Sequence, residues 1–516
     1  MLLAPLPKRL TPLADSFGFT SYYGDIHNHC GISYGHGSLD DALRRAKRQL
    51  DFVSVTGHAY WPDMPVDDES VAHIVDFHVK GFERLHKLWP THFDTLARYE
   101  EPGRFAVYPG YEIHSFKYGD YTIVYPDLEP SELLLADSPR QLKEKLAVRP
   151  GGAIAYPHHI GYRPGARGIN WEAFDPELSP FIEMYSMHGS ADESENDRPY
   201  LHSMGPLNGH STMAYGLRQG HIFGVVGSTD HHSAYPGSYG HGRMAVFAPA
   251  NDRKAIWDAM INRRTNALTG NRIHLFAAID NHVVGSIMAP QDNATLAIEA
   301  VAGGFIDSID VFRNGNLFHR ITPQLAPNPI DTSVEPVETI LVLEMGWGAR
   351  GSSHQWVGNL TLSGGTILAA EPRLRGPDIV SPTEGRDDSK DSTFIDCTPE
   401  ELRFDLTANA NRNNLTPATQ AIALRVQLQK DALVSLKLGD QHFEVPVERL
   451  FDGALSKNLG TIDTPAFRLH ALPLPEQWQW HGTVPLGRIE EGECVHLKLR
   501  EKSGQTAWTS PIFCRA

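Results

Sequence analysis

The stretch Tyr22-Tyr23-Gly24-Asp25-Ile26-His27-Asn28-His29 reads as a buried first β-strand that carries two histidines to one end of a barrel. Successive strand side chains point to opposite faces, so His27 and His29 face the same way, about 7 Å apart. Two neutral imidazoles at that spacing can grip one transition-metal ion. With 26 His in 516 residues, such a pair arises about once by chance, so its weight depends on whether the context repeats.

The context repeats. From about residue 20 to 265, strand-like and helix-like segments alternate, which predicts parallel βα units and an α/β fold class. Ser38-Leu39-Asp40-Asp41 reads as a helix N-cap with acidic residues in the first turn. The apolar runs DFVSVTGH (51–58), RFAVYPGYEIH (104–114), GDYTIVYP (119–126), GAIAYPHH (152–159), FIEMYSMH (181–188) and IFGVVGSTDHH (222–232) bring the strands to about seven. A long helix is expected over roughly 67–99, with others near 138–147, 211–219 and 252–264. Metal-competent residues close one run after another: His27 and His29, then His58, Glu112, His158 and His159, and finally Asp230, His231 and His232. In barrels that end of the strands carries the catalytic site.

In this order, DIHNH, VTGH, PGYE, YPHH and GSTDHH resemble the polymerase-and-histidinol-phosphatase (PHP) metallohydrolases, over roughly residues 20–270. The resemblance implies a distorted (β/α)7 barrel holding two or three divalent metal ions. It assigns His27 and His29 to the first metal together with Asp230, and Glu112 to a bridging position. His158 becomes a further ligand, and His58 and His232 become ligands of a third ion. A mixed N/O donor set suits Zn, Mn or Fe better than Mg or Ca. Three departures stand out. The second motif reads Thr56-Gly57-His58, without the family's aspartate. Between Glu112 and His158, where the family supplies a histidine, Asp120 is the expected substitute, with His114 as its alternative. His36, expected as a further ligand, follows the first pair by one residue more than usual.

A metal-activated water needs no nucleophilic side chain, and Cys30 is expected to be a packed residue. Among the extra histidines His159, His188, His210 and His231, His188 is the expected general acid. The loop IGYRPGARG (160–168) offers Arg163 and Arg167 among glycines, and Arg163 is assigned to substrate contact.

Beyond residue 271 short alternating runs such as IHLFAAID, ATLAIEAVA and AIALRVQLQ predict a β-sandwich-like domain over 271–516, with an exposed loop near 371–393; residues 1–19 form an N-terminal extension. A net charge of -16 disfavours nucleic acid and anionic membrane surfaces. Four scattered cysteines, the absence of a signal-peptide pattern and of a membrane-length apolar run point to a cytoplasmic protein. The leading expectation is a metal-dependent phosphoesterase acting on a small anionic substrate, with self-association open. Two alternatives remain: the same metal site cleaving an amide, lactone or glycosidic bond, and a non-catalytic binding protein.

Overall fold

The computed structural model describes residues 11–323, 336–348, 351–377, 393–410 and 417–515. Residues 1–10 of the expected N-terminal extension and 378–392 of the expected loop lie outside this set. A short helix α1 (Pro12–Ser16) precedes β1 (Thr20–Asp25), α2 (Leu39–Gln49), β2 (Phe52–Tyr60), α3 (Ala72–Tyr99), β3 (Ala106–Ile113), β4 (Tyr121–Val124), α4 (Pro139–Ala147) and β5 (Ile154–Pro157). Then come β6 (Phe181–Ser186), β7 (Gly189–Ser190), α5 (Met213–Arg218), β8 (Gly224–Gly227), β9 (Arg243–Ala248), α6 (Arg253–Ile261) and β10 (Thr265–Leu268). The local signals explain the boundaries: Ser38 Oγ accepts from Asp41 N while the Asp41 carboxylate accepts from Ser38 N, closing a capping box on α2.

The fold is mixed α/β with many strands and few helices. The expected run of parallel strands is corrected. Strands β1, β2 and β3 pair in parallel, as do β6 and β8, but β3–β4, β4–β5, β1–β9 and β9–β10 are antiparallel. The cause at β3–β4 is the short link between Ile113 and Tyr121, since a parallel crossover needs about a dozen residues or more. Gly24 lets β1 lie close to β2, because a Cβ there would fall 2.3 Å from the Phe52 ring. One sheet runs β10-β9-β1-β2-β3-β4-β5, and β7-β6-β8 form another. Ser179 Oγ donates to Ala155 O at 2.7 Å beside β5, and Thr265 Oγ1 on β10 donates to Val225 O on β8 at 3.0 Å, tying the smaller sheet to both ends of that run.

The sheet does not stop near residue 270. Strand β10 pairs with Thr506–Thr509, and Cys494–Glu501, Ile512–Cys514 and Ile306–Arg313 extend the same sheet. A four-stranded sheet containing His274–Ile279, Gln291–Val301 and Gln479–Ile489 packs its apolar face on those strands through Phe276, Leu296, Val484, Ile309 and Leu497. A separate eight-stranded sheet is built on the antiparallel pair His354–Arg373 and Gln420–Leu438 around its own core.

His92 is buried in α3 beside Trp89, and neither ring nitrogen has a hydrogen-bond partner among the described residues. Burial pushes its pKa down to about 4. The unfolded chain therefore binds the proton first, and the protein loses stability as pH falls from about 6.5 towards 4. His92→Phe should remove up to about 3 kcal/mol of that loss at the acid end, read as a flatter urea-midpoint profile between pH 7 and 4.5.

Candidate metal centre

The two histidines of the opening stretch lie just past β1, not within it as expected. His27 O accepts from Asp230 N at 2.8 Å, and His29 N donates to His231 O at 2.9 Å, so the chain leaves the sheet to pair with the loop after β8. The two side chains still converge. His27 Nε2 and His29 Nε2 lie 3.2 Å apart; Asp230 Oδ1 is 3.4 and 2.9 Å from them, and Glu112 Oε2 is 3.3 and 3.4 Å from them. Ligand atoms in a tetrahedral shell of bonds near 2.0–2.2 Å are about 3.3–3.6 Å apart, so these four side chains fit one transition-metal ion.

Glu112, on β3, faces two ways. Its Oε2 looks to His27, His29 and, at 3.5 Å, His58 on β2. Its Oε1 lies 3.0 Å from His114 Nδ1 and 3.2 Å from His158 Nε2. His158 Nε2 is buried and makes no hydrogen bond, a free lone pair that suits a metal. Further groups close enough to share an ion are His29, His58 and His232, and Asp120, His158 and His159. Burial would push the Glu112 carboxyl up, but His158, His58 and His114 hold it well below the usual carboxylate range. Burial and neighbouring His29 keep His58 and His232 neutral, the latter pushed down to about 3.

Asp120 immediately precedes β4, which runs antiparallel to β3, so its start lies beside the end of β3 that carries Glu112. Its carboxylate accepts from Arg167 Nε at 2.7 Å and from Arg167 Nη2, and lies 3.0 Å from His114 Nδ1 and 3.4 Å from His159 Nε2. Both Asp120 and His114 therefore lie on the side of the site that Glu112 Oε1 faces. Burial of Asp120 is outweighed by Arg167 and His114, which keep it ionised.

Supporting residues hold these groups in place. Glu183, on β6, lies fully buried with Oε2 2.7 Å from His27 Nδ1 and Oε1 accepting from His159 N. It fixes the His27 tautomer so that Nε2 is the free ligand atom. Thr122 Oγ1 and Ser33 Oγ lie 2.9 and 3.0 Å from Nδ1 of His158 and His58, anchoring each ring by the nitrogen opposite Nε2. Asp25 accepts from Thr229 Oγ1 and the Thr229, Gly237 and His27 amides, pinning the loop that carries Asp230. Asp230 and His159 adopt φ of 54° and 29°, left-handed backbone at two of the site's residues. Glu183→Gln should weaken metal affinity about 10–100-fold, measured by competition with a chromogenic chelator, with the fold retained.

Other sequence expectations are placed as follows. His36 lies on the loop after the first pair, its amide donating to His232 O at 2.8 Å. Gly57 packs against Leu85 and Ile32: a Cβ there would meet Leu85 Cδ1 at 2.8 Å, so an aspartate would have to displace the Leu85 side chain. Arg163 is exposed and does not enter the site; Arg167 enters instead. His188 Nε2 lies 2.7 Å from Asp230 Oδ2 and its Nδ1 hydrogen-bonds with Tyr162 Oη, so one ring nitrogen holds Asp230 while the other is held by Tyr162. Cys30 is fully buried, its thiol pushed up to about 12 by burial, and is inert.

Comparison with known proteins gives partial matches. A family model described as "Protein of unknown function (DUF3604)" matches residues 238–300. An uncharacterized protein of Chlamydia trachomatis is 27% identical over 173 residues, 30% of this chain and 28% of that protein. An uncharacterized protein of Chlamydia muridarum is 25% identical over 173 residues with the same coverage. The chain thus spans about 28% of the length of these curated relatives. Among solved structures, a two-domain protein from Bacteroides vulgatus containing a predicted PHP-like metal-dependent phosphoesterase is similar with a TM-score of 0.32 and 13% identity, covering 83% of this chain and 96% of that one. No helix among the described residues is long and apolar enough to cross a membrane.

Proposed function

We propose that the chain is a metal-dependent hydrolase of the PHP type, holding two divalent ions joined by Glu112, with His58 and His232 set for a third. The observation that carries this reading is the pair of Glu112 oxygens facing separate donor sets, His27, His29 and Asp230 on one side and His114 and His158 on the other. The mixed N/O donors favour Zn, Mn or Fe. On this reading β1–β5, β6, β8, β9 and β10 form a distorted barrel, and a β-domain begins near residue 271. Bound ions would supply an activated water and polarise a substrate oxygen. The chain's own residues orient the site: Glu183 aims His27, His188 and Tyr162 hold Asp230, and Asp120 holds Arg167. The Arg167 guanidinium, 4.0 Å from Glu112 Oε1, places a permanent positive charge where a small anionic substrate, a phosphoester, would bind.

A second reading, cleavage of a lactone, amide or glycosidic bond, is favoured by the aromatic wall beside the site. Tyr34 stacks on His58 at 3.6 Å, and Trp61 lies 5.3 Å from His114, surfaces that suit a ring. Protein loaded separately with Zn, Mn and Fe should be assayed on nitrophenyl phosphate mono- and diesters and on lactone, anilide and glycoside substrates. Phosphoester turnover that disappears in His27→Ala supports the first reading; turnover confined to the other substrates overturns it.

A further inference from the structure

A cavity of about 440 Å³ lies away from the metal centre, between the large sheet and the eight-stranded sheet. That volume is in the range of small-molecule sites. None of its lining residues is among the metal-ligand candidates. We propose that this cavity binds a small polyanion, with phosphate or carboxylate groups held by Arg373, Arg375 and Arg468.

Charge is the first argument. The lining holds four cations, Arg373, Arg375, Arg468 and Lys502, against two carboxylates, Glu344 and Glu501, in a chain whose net charge is -16. The two carboxylates are already engaged. Glu344 Oε1 accepts from Thr419 Oγ1 at 2.6 Å, and its Oε2 lies 2.8 Å from His470 Nε2. Glu501 accepts from Gly303 N at 2.8 Å, Asn271 Nδ2 at 2.6 Å and Ser503 Oγ at 2.8 Å.

The arginines, by contrast, keep unused donors. Arg373 is the last residue of the strand His354–Arg373 and Arg375 follows it two residues on; both line the cavity. The Nε of each is buried and has no hydrogen-bond partner among the described residues. Their other groups fix them: Arg373 Nη2 donates to Gly303 O and Glu371, and Arg375 Nη1 donates to Tyr239 O while its guanidinium lies 4.7 Å from the Tyr239 ring centroid. Such preorganised forks suit phosphate or carboxylate. Phe305, Ile340 and Val342 supply apolar wall for the body of the ligand. Tyr239 lies on the same loop as Asp230 and His232, so an occupant would sit one loop from the metal centre.

The test is equilibrium dialysis of the full chain against labelled inorganic phosphate and, separately, citrate, with metal-loaded and chelator-treated protein side by side. The expected result is binding of at least one probe at about one equivalent that survives chelation and weakens about tenfold or more in Arg375→Gln and in Arg468→Gln. Arg163→Gln, in the exposed loop, should leave it unchanged. Arg468 is exposed on its strand, so its variant decides the matter should Arg375→Gln fail to fold. Binding that vanishes on chelation, binding indifferent to Arg468→Gln, or no binding of either probe up to about 10 mM overturns the proposal.

Discussion

Glu112→Gln should lose about a thousandfold or more in turnover, because under the proposed function Glu112 would be a ligand common to two ions, worth several kcal/mol of transition-state stabilisation. The substitution keeps the volume of the side chain and removes its charge. Oε2 is 3.3–3.5 Å from three histidines and Oε1 is 3.0–3.2 Å from two, so one change weakens both donor sets at once. A carboxylate serving one pocket would leave the other loaded. Steady-state kinetics with metal content measured on the same sample separates these cases; turnover within about tenfold of the parent would show that Glu112 is a packed acid and no bridge.

Arg167→Met should destabilise the metal-free protein by about 3–5 kcal/mol. Its partner Asp120 is fully buried, and burial pushes that carboxyl up; Arg167, then His114, outweigh the effect and hold it low. A lowered folded-state pKa gives stability that is present above the unfolded value and lost as pH falls through the folded one, so the variant should differ most from the parent at neutral pH. Removing both charges, in Arg167→Met with Asp120→Asn, should cost less than removing the cation alone. Urea midpoints at pH 7 with and without metal add a further distinction. If Asp120 also ligates an ion, loading restores part of the lost stability in Arg167→Met; equal losses in both states would leave Asp120 as a partner of Arg167 alone.

The candidates His27, His29, His58, Glu112, His158, Asp230 and His232 could be picked from the sequence because each falls at one end of an apolar run, and the structure gathers them in overlapping groups of three whose possible ligand atoms lie within 4.8 Å of one another. Glu183 was passed over although its signal was present: a lone acid in the buried run FIEMYSM must have a partner, and here it is the His27 ring. The choice of Arg163 over Arg167 failed for a reason of backbone geometry. Arg167 takes φ of 71°, and Gly168 packs so closely on Tyr162 that a Cβ would fall 1.8 Å from its carbonyl oxygen, which folds the loop back and turns Arg167 inward. The antiparallel β4 was implied by its short link to β3 but was masked by the alternation of helices around it. The pairing of β10 with Thr506–Thr509 joins positions more than 200 residues apart, and no local pattern carries it.

The central claim, a dinuclear site shared through Glu112, is tested most directly by metal content per chain. The measurement is mass spectrometry on tag-free protein purified without chelators and then dialysed against Zn, Mn or Fe. The account predicts about two equivalents or more of one of these metals in the parent, and less than about half an equivalent in both Glu112→Gln and His27→Ala. Less than half an equivalent in the parent with every metal, or a full load retained by Glu112→Gln, would contradict it.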